Sequence, residues 1–406
     1  MSDLSFMEKL LDGAEVGWLL LGDVTQYEQP TKYLVQTQNY SDNFYTPVLT
    51  AGKTFILGYT DESNGIYRAS ENPVIIFDDF TTANKWVDFD FKAKSSAMKM
   101  ITSSDETKYS LKYIYYWLNT LSSELIEGDH KRQWISNFAN KMLPIPCPDN
   151  PEKSLKIQAE IVRILDTFTE LTTELTTELT SRKKQYTYYR DHLLSFEEGE
   201  VEWKALGDII IKSYSGGTPT AGNSEYYDGG TIPWLRTQEV KFSDIDSTEV
   251  KITPSALEDS AVKWIPANCV IVAISGATAG RSAINKIPLT TNQHCCCLEI
   301  DPEKALYRYV FHWVSLNYES LKGLGQGARG DLNSGIIKSF KIPIPFADDP
   351  EKSLAEQARI VAILDKFDVL TNSISEGIPR EIALRQKQYE YYRDLLLSFS
   401  KPEVEA

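Results

Sequence analysis

At 406 residues the chain is longer than one ordinary hydrophobic core can organise, which predicts two or three domains. Its content of 42% hydrophobic and 11% aromatic residues is typical of a folded protein and excludes a disordered one. The net charge of −15 argues against a protein that coats nucleic acid by itself, so a nucleic-acid interface would need local basic patches or a basic partner.

The chain has no apolar run as long as a membrane span, and residues 1–16 lack the basic-then-apolar order of a signal peptide. We therefore expect a cytoplasmic protein. Three of the five cysteines, Cys295, Cys296 and Cys297, are adjacent and follow His294. Because neighbouring residues of a strand point to opposite faces, these thiols cannot easily converge on one metal ion, and the pattern favours small buried residues in an apolar strand.

Two blocks of mixed secondary structure are predicted, at residues 24–143 and 209–342. Runs of β-branched and aromatic residues bounded by Gly, Asn and Asp predict strands within 46–60, 72–80, 231–240, 268–277 and 295–300. Apolar residues at spacings of three and four predict helices within 108–125 and 307–324. Each block is therefore a mixed α/β unit.

Two long phrases occur twice. PIPCPDNPEKSLKIQAEIVRILDTF, which begins at Pro144, returns as PIPFADDPEKSLAEQARIVAILDKF at Pro343. KQYTYYRDHLLSF, which begins at Lys184, returns as KQYEYYRDLLLSF at Lys387. The period is far longer than that of a solenoid repeat, so the chain contains a duplicated module.

The start of each module is repeated as well, as EVGWLLLGD from Glu15 and EVEWKALGD from Glu200. The last residues, from Phe399, resemble the beginning of a third round. This cyclic order suggests a closed, pseudo-symmetric molecule whose two ends lie close together.

Both repeated segments begin with helix-capping chemistry. Asn150-Pro151-Glu152 and Asp349-Pro350-Glu351 each supply a cap residue, a proline at the first helical position and an acid near the positive helix end. In the second copy, Ser353 and Glu356 are an alternative capping box one turn later. An apolar coiled-coil stripe follows at Ile164, Phe168, Leu171, Leu175, Leu179, Tyr186, Tyr189 and Leu193, and at Ile363, Phe367, Leu370, Ile374, Ile382, Tyr389, Tyr392 and Leu396. Gly377 and Pro379 predict a break in the second segment.

The simplest way to bury both apolar stripes is for the two helical segments to pack on each other as an antiparallel pair, with one block at each end. The alternative is that each segment packs on its own block alone. The predicted fold class is α+β, with two mixed α/β domains separated by two long antiparallel helices that form a coiled coil, in a pseudo-two-fold cyclic layout. The predicted boundaries are 1–149, 150–199, 200–348 and 349–406.

The first helical segment also repeats the four-residue unit TELT three times, at residues 169–180. Each unit adds about 6 Å and about one turn to a helix. Adding or removing one unit would therefore change the spacing of the two blocks.

This layout resembles the specificity subunits of type I restriction-modification systems over essentially the whole chain, and the helical phrases and TELT tract are most similar to the IC subgroup. The resemblance implies that 1–149 and 200–348 are target-recognition domains, each reading one half of a split, asymmetric DNA target. It implies that 150–199 and 349–406 are helical spacers that set the gap between the halves and dock partner subunits.

The implied partners are double-stranded DNA, two modification (methyltransferase) subunits and two restriction subunits. The resemblance implies that the modification subunits use S-adenosylmethionine to methylate adenine N6. It implies that the restriction subunits use ATP and Mg for translocation and cleavage. This chain itself is expected to bind no cofactor or metal and to be non-catalytic.

The residues agree with the expected absence of catalysis. The sequence contains neither the Asn-Pro-Pro-Tyr nor the Asn-Pro-Pro-Phe motif of adenine methyltransferases. The segment Gly276 to Arg281 lacks both the spacing and the lysine of a phosphate-binding loop. The four histidines, His130, His192, His294 and His312, show no triad or metal-ligand spacing.

Candidate DNA contacts are Lys, Arg and small polar residues in predicted loops, because phosphates need cations and base edges need bidentate hydrogen-bonding groups. The alternative for each candidate is that it is an ordinary surface or turn residue with no contact to DNA. The candidates are Lys53, Thr81, Thr82, Asn84, Lys85, Lys92, Lys94, His130, Lys131, Arg132, Gln133, Thr218, Thr220, Arg236, Lys241, Arg281, Asn292, Gln293, Gln326 and Arg329. The candidate spacer and partner residues are Leu171, Leu175, Leu179, Tyr186, Tyr189, Phe367, Leu370, Tyr389 and Tyr392.

Two other functions remain open at this level. A coiled-coil scaffold with two protein-binding domains would direct no DNA modification when it is expressed with a modification subunit. A stand-alone nuclease would show metal-dependent cutting by the purified chain.

Overall fold

The computed structural model describes residues 3–52, 54–121, 133–197, 199–327, 330–373 and 376–399. The chain forms two compact units. Unit one comprises residues 1–176 and 381–406, and unit two comprises residues 177–380. Each predicted helical segment is therefore divided between the two units.

Unit one begins with a helix and continues with nine strands and three further helices. In chain order these are α1 (Asp3–Leu11), β1 (Val16–Leu20), α2 (Leu21–Val24), β2 (Thr25–Glu28), β3 (Thr46–Leu49), β4 (Ile56–Thr60), β5 (Val74–Asp78), β6 (Asn84–Val87), β7 (Lys92–Ala93), β8 (Met98–Ser103), α3 (Leu111–Leu118), α4 (Gln133–Ser136) and β9 (Met142–Pro146), as far as the chain is described. The long helix α5 (Pro151–Leu193) begins in unit one and ends in unit two.

Unit two continues the chain with β10 (Val201–Ala205), β11 (Ile210–Tyr214), α6 (Ser224–Tyr227), β12 (Ile232–Leu235), β13 (Asp244–Ile245), β14 (Val250–Ile252), α7 (Pro254–Asp259), β15 (Val270–Ala273), β16 (Ser282–Asn285), β17 (Thr290–Thr291), β18 (Cys295–Ile300), α8 (Tyr307–Leu316), α9 (Tyr318–Gly323), α10 (Ser334–Ser339), β19 (Lys341–Pro345) and α11 (Pro350–Asn372). Helix α12 (Gly377–Leu397) then leads back into unit one. Short 3₁₀ helices lie at Pro30–Tyr33, Phe138–Asn140, Leu206–Asp208, Thr237–Glu239 and Gly276–Thr278.

The two units share one plan of three sheets. Unit one has the strand orders β2-β8-β5-β6, β4-β3-β7 and β1-β9, and unit two has β11-β18-β15-β16-β13, β14-β12-β17 and β10-β19. In each unit the three-stranded sheet contains one parallel pair, β3 with β7 or β12 with β17. The predicted fold class, two mixed α/β units with two long helical segments, is confirmed.

A two-stranded ribbon closes each unit in the same way. Strand β1 pairs antiparallel with β9, and β10 pairs antiparallel with β19. The Tyr113 hydroxyl donates to the carbonyl of Pro144 at 2.8 Å, and the Tyr309 hydroxyl donates to that of Pro343 at 2.8 Å. Prolines are tolerated in these strands because a two-stranded ribbon has edges at which no N–H is needed.

A buried glutamine fixes the first turns of each long helix to its own unit. The Gln158 carboxamide accepts from the backbone N–H of Ser110 at 2.8 Å and donates to the carbonyl of Lys108 at 3.0 Å. The Gln357 carboxamide accepts from the backbone N–H of Leu306 at 2.9 Å. Both side chains are 0% exposed, so these bonds satisfy polar groups that would otherwise be costly to bury.

The same helices bury an apolar face against the sheets and helices of their own unit. In α5, Ile157, Ile161 and Leu165 belong to the core of unit one. In α11, Ile360 and Leu364 belong to the core of unit two. These residues lie beside the predicted coiled-coil stripe and were not part of it.

The predicted stripe packs helix on helix within each unit. In unit one, the ring of Phe168 in α5 stacks on that of Tyr392 in α12, with centroids 5.2 Å apart. In unit two, the ring of Tyr189 in α5 stacks on that of Phe367 in α11, with centroids 5.4 Å apart. The alternative in which each segment packs on its own block alone is therefore wrong. The remaining stripe residues predicted for the spacer, all of them half-buried, are Leu171, Leu175, Leu179, Tyr186, Leu370 and Tyr389.

The helix caps are confirmed in both copies. Asn150 Oδ1 and Asp349 Oδ1 each accept a backbone N–H of the first turn at 3.1 Å. The alternative capping box in the second copy is wrong, because the carboxylate of Glu356 pairs with Arg359 at 2.7 Å instead.

The predicted break in the second segment is also confirmed, since α11 ends at Asn372 and α12 begins at Gly377. Gly377 has a φ of +72°, and a Cβ at this position would lie 2.3 Å from the carbonyl oxygen of Val369. Only glycine fits this turn without displacing the end of α11.

A charged cluster joins α8 to α11 in unit two. Arg308 Nη2 and His312 Nε2 approach Asp365 Oδ1 at 2.7 and 2.6 Å. Burial raises the pKa of Asp365, but hydrogen bonds from His312 and Arg308 outweigh it and hold that pKa below its ordinary value. In unit one, the Tyr116 hydroxyl donates to Asp166 at the corresponding place.

The cysteine-rich strand β18 is buried, as predicted. Cys295 and Cys297 contribute to one core cluster of unit two, and Cys296 contributes to another, so the thiols alternate between faces. Burial raises the pKa of Cys295 to about 12, which disfavours the thiolate form. Within the described ranges, no group of three His, Cys, Asp or Glu side chains is arranged to hold a metal ion. None of the described helices has the length and apolarity that crossing a membrane requires.

Candidate nucleic-acid interface

In unit two, a parallel strand pair brings several candidate residues to one edge. Strands β12 and β17 pair in parallel, with Leu235 opposite Thr291. The backbone N–H of Asn292 then donates to the carbonyl of Leu235 at 3.2 Å. Because parallel strands end at the same edge of a sheet, Arg236 and Asn292–Gln293 leave the sheet side by side.

Two glycines bring a third segment to this edge. A Cβ on Gly216 would lie 1.7 Å from the carbonyl oxygen of Thr291, so only glycine permits the approach. The N–H of Gly217 donates to that same oxygen at 2.9 Å, and Trp234 Nε1 donates to the carbonyl of Gly217 at 3.0 Å. Thr218 is thereby placed against the residues that follow β17.

Three side chains at this edge form a hydrogen-bonded chain. Thr218 Oγ1 donates to Gln293 Oε1 at 2.5 Å, and Gln293 Nε2 lies 3.2 Å from His294 Nε2. Asn292 Oδ1 accepts from the backbone N–H of His294 at 3.0 Å. Thr218, Gln293 and His294 are exposed, so the edge presents a hydroxyl, an amide and an imidazole to solvent. We call Thr218, Arg236 and residues 292–294 the unit-two edge.

Acidic neighbours hold the arginine of the unit-two edge in place. Arg236 Nη2 lies 2.7 Å from Glu249 Oε2, and its Nε lies 3.9 Å from Glu239 Oε1. Glu239 also accepts from the backbone N–H of Arg236 at 3.0 Å. The guanidinium is half-buried and engaged in these two ion pairs.

Unit one has an equivalent edge with different side chains. Strand β3 pairs in parallel with β7, with Leu49 opposite Ala93. The backbone N–H of Lys94 donates to the carbonyl of Leu49 at 2.8 Å, which is the counterpart of the bond made by Asn292. Lys94 Nζ donates to the Tyr40 hydroxyl at 3.1 Å. We call Tyr40 and Lys94 the unit-one edge.

In unit one, two buried aspartates, Asp78 and Asp79, support the turn between β5 and β6. Asp79 Oδ1 accepts from the backbone N–H of Trp134 at 2.9 Å, and its Oδ2 lies 3.7 Å from Lys99 Nζ. The preceding residue, Asp78, accepts from the N–H of Phe80 at 2.9 Å and so shapes the turn between β5 and β6. Both aspartates are less than a tenth exposed and act as internal supports.

Comparison with known proteins identifies the family of the chain. The sequence matches the family described as "Type I restriction modification DNA specificity domain" over residues 18–182 and 198–384. The chain belongs to this DNA specificity family. It is 59% identical over 410 residues to the Escherichia coli protein "Type I restriction enzyme EcoR124I/EcoR124II specificity subunit", covering 100% of this chain and 99% of that one.

More distant relatives agree with this membership. The chain is 29% identical over 416 residues to a putative type I restriction enzyme specificity subunit of Haemophilus influenzae, covering 98% of this chain and 99% of that one. Its fold is similar to the crystal structure of the S subunit of a type I restriction-modification system from M. genitalium, with a TM-score of 0.66 at 15% identity. That match covers 96% of this chain and 98% of the other. The family resemblance inferred from the repeated phrases is confirmed.

For this specificity-family member, the structure groups only part of the predicted contact set. Four predicted residues meet at the unit-two edge, namely Thr218, Arg236, Asn292 and Gln293. The others of unit two lie on separate segments, with Thr220, Lys241 and Gln326 exposed and Arg281 half-buried. In unit one, Thr81 and Lys85 are exposed, and Asn84 and Lys94 are half-buried.

Burial argues against direct contact for several other predicted residues. Lys92 is 2% exposed, and its Nζ lies 2.7 Å from Glu62 Oε2 and 2.6 Å from the carbonyl oxygen of Asn64. A lysine in this position connects β7 to the segment that follows β4, and it cannot reach a phosphate without breaking its pair. Thr82, Gln133 and Asn292 are also buried, with exposures of 8%, 9% and 9%, so little of each side chain is accessible to DNA in this structure.

The pair formed by Lys92 also perturbs its partner. Burial alone would raise the pKa of Glu62. Hydrogen bonds from Lys92 and from the backbone of Thr37 and Gln36 outweigh burial and lower the pKa to about 2. The pattern of lysines in the sequence could not separate this buried residue from Lys94, which is two positions further on.

Five predicted contacts lie outside the described residues, namely Lys53, His130, Lys131, Arg132 and Arg329. Conversely, two residues at the edges were missed by sequence reasoning, His294 and Tyr40. A signal for the first existed, because Gly216-Gly217 before Thr218 indicates a close backbone approach and His294 directly follows Gln293. No comparable signal pointed to Tyr40.

Proposed function

We propose that the chain is the DNA sequence-specificity subunit of a type I restriction-modification complex and that each unit reads one half of a split, asymmetric target. The observation that carries the proposal is the pair of equivalent edges. One backbone hydrogen bond recurs at both edges, yet the polar side chains near it differ, with Lys94 and Tyr40 in unit one and Arg236 and Gln293 in unit two. A backbone frame shared by both units, with different polar groups, suits two readers of different base sequences.

The long helices would dock two copies of one partner, the modification subunit. Tyr188 is 65% exposed and Tyr391 is 50% exposed, at the same position of the repeated phrase. Each ring lies nearly perpendicular to that of the next residue, Tyr189 or Tyr392, at 79° in both cases. Identical exposed aromatic surfaces favour identical partners.

In this proposal the chemistry resides in the partners, and the chain is non-catalytic and cytoplasmic. The modification subunits would use S-adenosylmethionine to methylate adenine N6, and two restriction subunits would use ATP and Mg for translocation and cleavage. The net charge of −15 fits this division of labour, because partner subunits that surround the DNA would supply the additional cations.

Expression with the cognate modification subunit in a host that lacks other adenine methylation tests the proposal. The expected result is methylation at a split motif with two defined halves and a fixed gap. Unmodified DNA despite a stable complex would favour the scaffold alternative, and metal-dependent cutting by the purified chain would favour a nuclease.

Two glycine variants sharpen this experiment. Gly216→Ala forces a Cβ against Thr291 and should abolish recognition of one half of the motif. Gly323→Ala meets no atom within 4 Å and serves as the matched control. Loss of methylation in the control as well would show that the readout reports folding and not the unit-two edge.

A further inference from the structure

We propose that Gln293 reads an adenine in the half-site of unit two, and that Thr218 and His294 are positioning residues that set the orientation of its carboxamide. This inference rests on the proposed function, because it names one base-reading residue within the unit-two edge.

The neighbours of Gln293 fix which end of its amide is which. A surface glutamine normally samples several rotamers and both amide orientations, at a conformational cost whenever it binds. Here the Thr218 hydroxyl donates to Oε1 at 2.5 Å, and Nε2 lies 3.2 Å from His294 Nε2. An amide nitrogen can only donate, so the imidazole accepts at Nε2 and carries its proton on Nδ1. A donor on one side and an acceptor on the other therefore favour a single orientation of the Gln293 carboxamide.

The held amide retains the groups that adenine needs. A carboxamide oxygen accepts two hydrogen bonds and its nitrogen donates two, and the Thr218–Gln293–His294 chain uses one of each. One acceptor and one donor remain on an exposed side chain. In the major groove, adenine alone presents a donor at N6 beside an acceptor at N7, and glutamine bridges that pair. Guanine presents two acceptors there, which an amide oxygen would oppose.

The backbone next to the Thr218–Gln293–His294 hydrogen-bonded chain is also held in place. The side chain of Asn292 accepts from the N–H of His294 at 3.0 Å, and Ser215 Oγ donates to the carbonyl of Gln293 at 3.4 Å. The Gly216 approach to Thr291 leaves no space for a side chain. Preorganisation of this kind lowers the cost of ordering the reader on binding.

The test measures base discrimination in the complex with the modification subunit. The wild-type motif is mapped first, and methylation rates are then compared on duplexes that carry each single base-pair change. Gln293→Ala should reduce discrimination at one A·T pair of one half-site by roughly tenfold and leave the other positions unchanged. Thr218→Val and His294→Phe should each cause a smaller loss, roughly threefold, at the same pair.

The ratio of cognate to altered sites separates positioning from folding, because partial unfolding lowers both rates equally. Gln36→Ala makes the same truncation in unit one and should leave this pair unaffected. The double variant Thr218→Val/Gln293→Ala should match Gln293→Ala alone. The inference is overturned if Gln293→Ala changes no position, all positions equally, or a G·C pair. Absence of any methylation by the wild type would instead contradict the proposed function itself.

Discussion

Lys92 and Lys94 lie two residues apart in the sequence and have opposite environments in unit one. Lys92 is buried in a pair with Glu62, whereas Lys94 is half-buried at the unit-one edge with its Nζ on Tyr40. We expect Lys92→Met to lower the free energy of unfolding by about 2 kcal/mol, because the half-buried Glu62 carboxylate loses its ion-pair partner and keeps only the backbone N–H donors of Gln36 and Thr37. Urea denaturation of the purified chain measures the loss.

Lys94→Met is the matched variant, and its effect should appear in DNA binding. We expect unfolding within about 0.5 kcal/mol of the wild type, as for most surface changes. We also expect the methyltransferase complex to bind every duplex more weakly. The slope of the logarithm of the binding constant against the logarithm of the salt concentration should fall in magnitude by about one, the amount expected for one lost phosphate contact. An unaltered slope would show that Lys94 does not contact a phosphate.

Because Glu62 titrates, the contribution of the Lys92–Glu62 pair to stability depends on pH. Its pKa is about 2 in the folded chain against an ordinary value of 4.5, because bonds to Lys92 and the backbone outweigh the effect of burial. A carboxylate whose pKa is lowered by folding stabilises the fold when the pH is above its ordinary pKa. That contribution is lost as the pH falls from about 4.5 towards about 2.

The wild type should therefore be more stable than Glu62→Gln at pH 7, and this difference should shrink steadily below pH 4.5. Denaturation midpoints across that range measure it. A difference that does not change with pH would mean that the carboxylate makes no net contribution through its charge.

Among the elements, the long helices show what periodicity could and could not predict. The repeated phrases predicted helices, caps and the stripe that contains Phe168 and Phe367. They did not separate that stripe from the adjacent face with Ile161 and Leu165, which packs into unit one. Both faces have apolar residues at helical spacing, and only the tertiary partners differ. Gln158 was missed for the same reason, since its burial depends on carbonyl groups about fifty residues away.

The edges were harder still to predict, because they depend on crossovers. Pairing of β12 with β17 joins residues separated by more than fifty positions, and a short strand such as Thr290–Thr291 has no periodicity of its own. Sequence reasoning could therefore nominate polar loop residues but could not say that Thr218 meets Gln293. It could also not exclude Lys92, whose burial follows from the same kind of crossover.

The break between α11 and α12 has a specific steric origin that substitution can test. Gly377→Ala adds both a strained backbone and a clash with the carbonyl oxygen of Val369. We expect it to cost about 2 kcal/mol or more in thermal unfolding. Gly222→Ala is the control, because Gly222 has a φ of +78° with no atom near its Cβ position, and it should cost only about 1 kcal/mol. Equal costs would show that the clash relaxes without penalty.

For the whole molecule, the cyclic order of the sequence determines how each unit is completed. In unit two, Leu194 of the phrase that ends α5 is buried in the core. In unit one, the matching residue is Leu397, which comes from the other end of the chain. Unit one is thus completed by residues of α12, which follow unit two in the sequence.

The TELT tract of α5 is regular enough to be shortened by whole units. Thr172, Thr173 and Thr176 each donate to the carbonyl four residues earlier, at 2.8 to 2.9 Å, so no side chain interrupts the helix. Leu171 and Leu175 are half-buried at a spacing of four. Removing four residues rotates the following helix by only about 40°, whereas removing two rotates it by about 200°.

We therefore predict that deleting Thr173–Thr176 leaves both half-sites unchanged and shortens the gap between them. The helix loses about 6 Å, which corresponds to one or two base pairs at about 3.4 Å each. Mapping of methylated adenines in cells that express the variant with its modification subunit measures the gap. Deletion of Thr172 and Thr173 alone should instead abolish methylation, because it turns the leucine stripe away from its partner helix. Altered half-site bases with an unchanged gap would contradict the assignment of α5 as the element that sets the spacing.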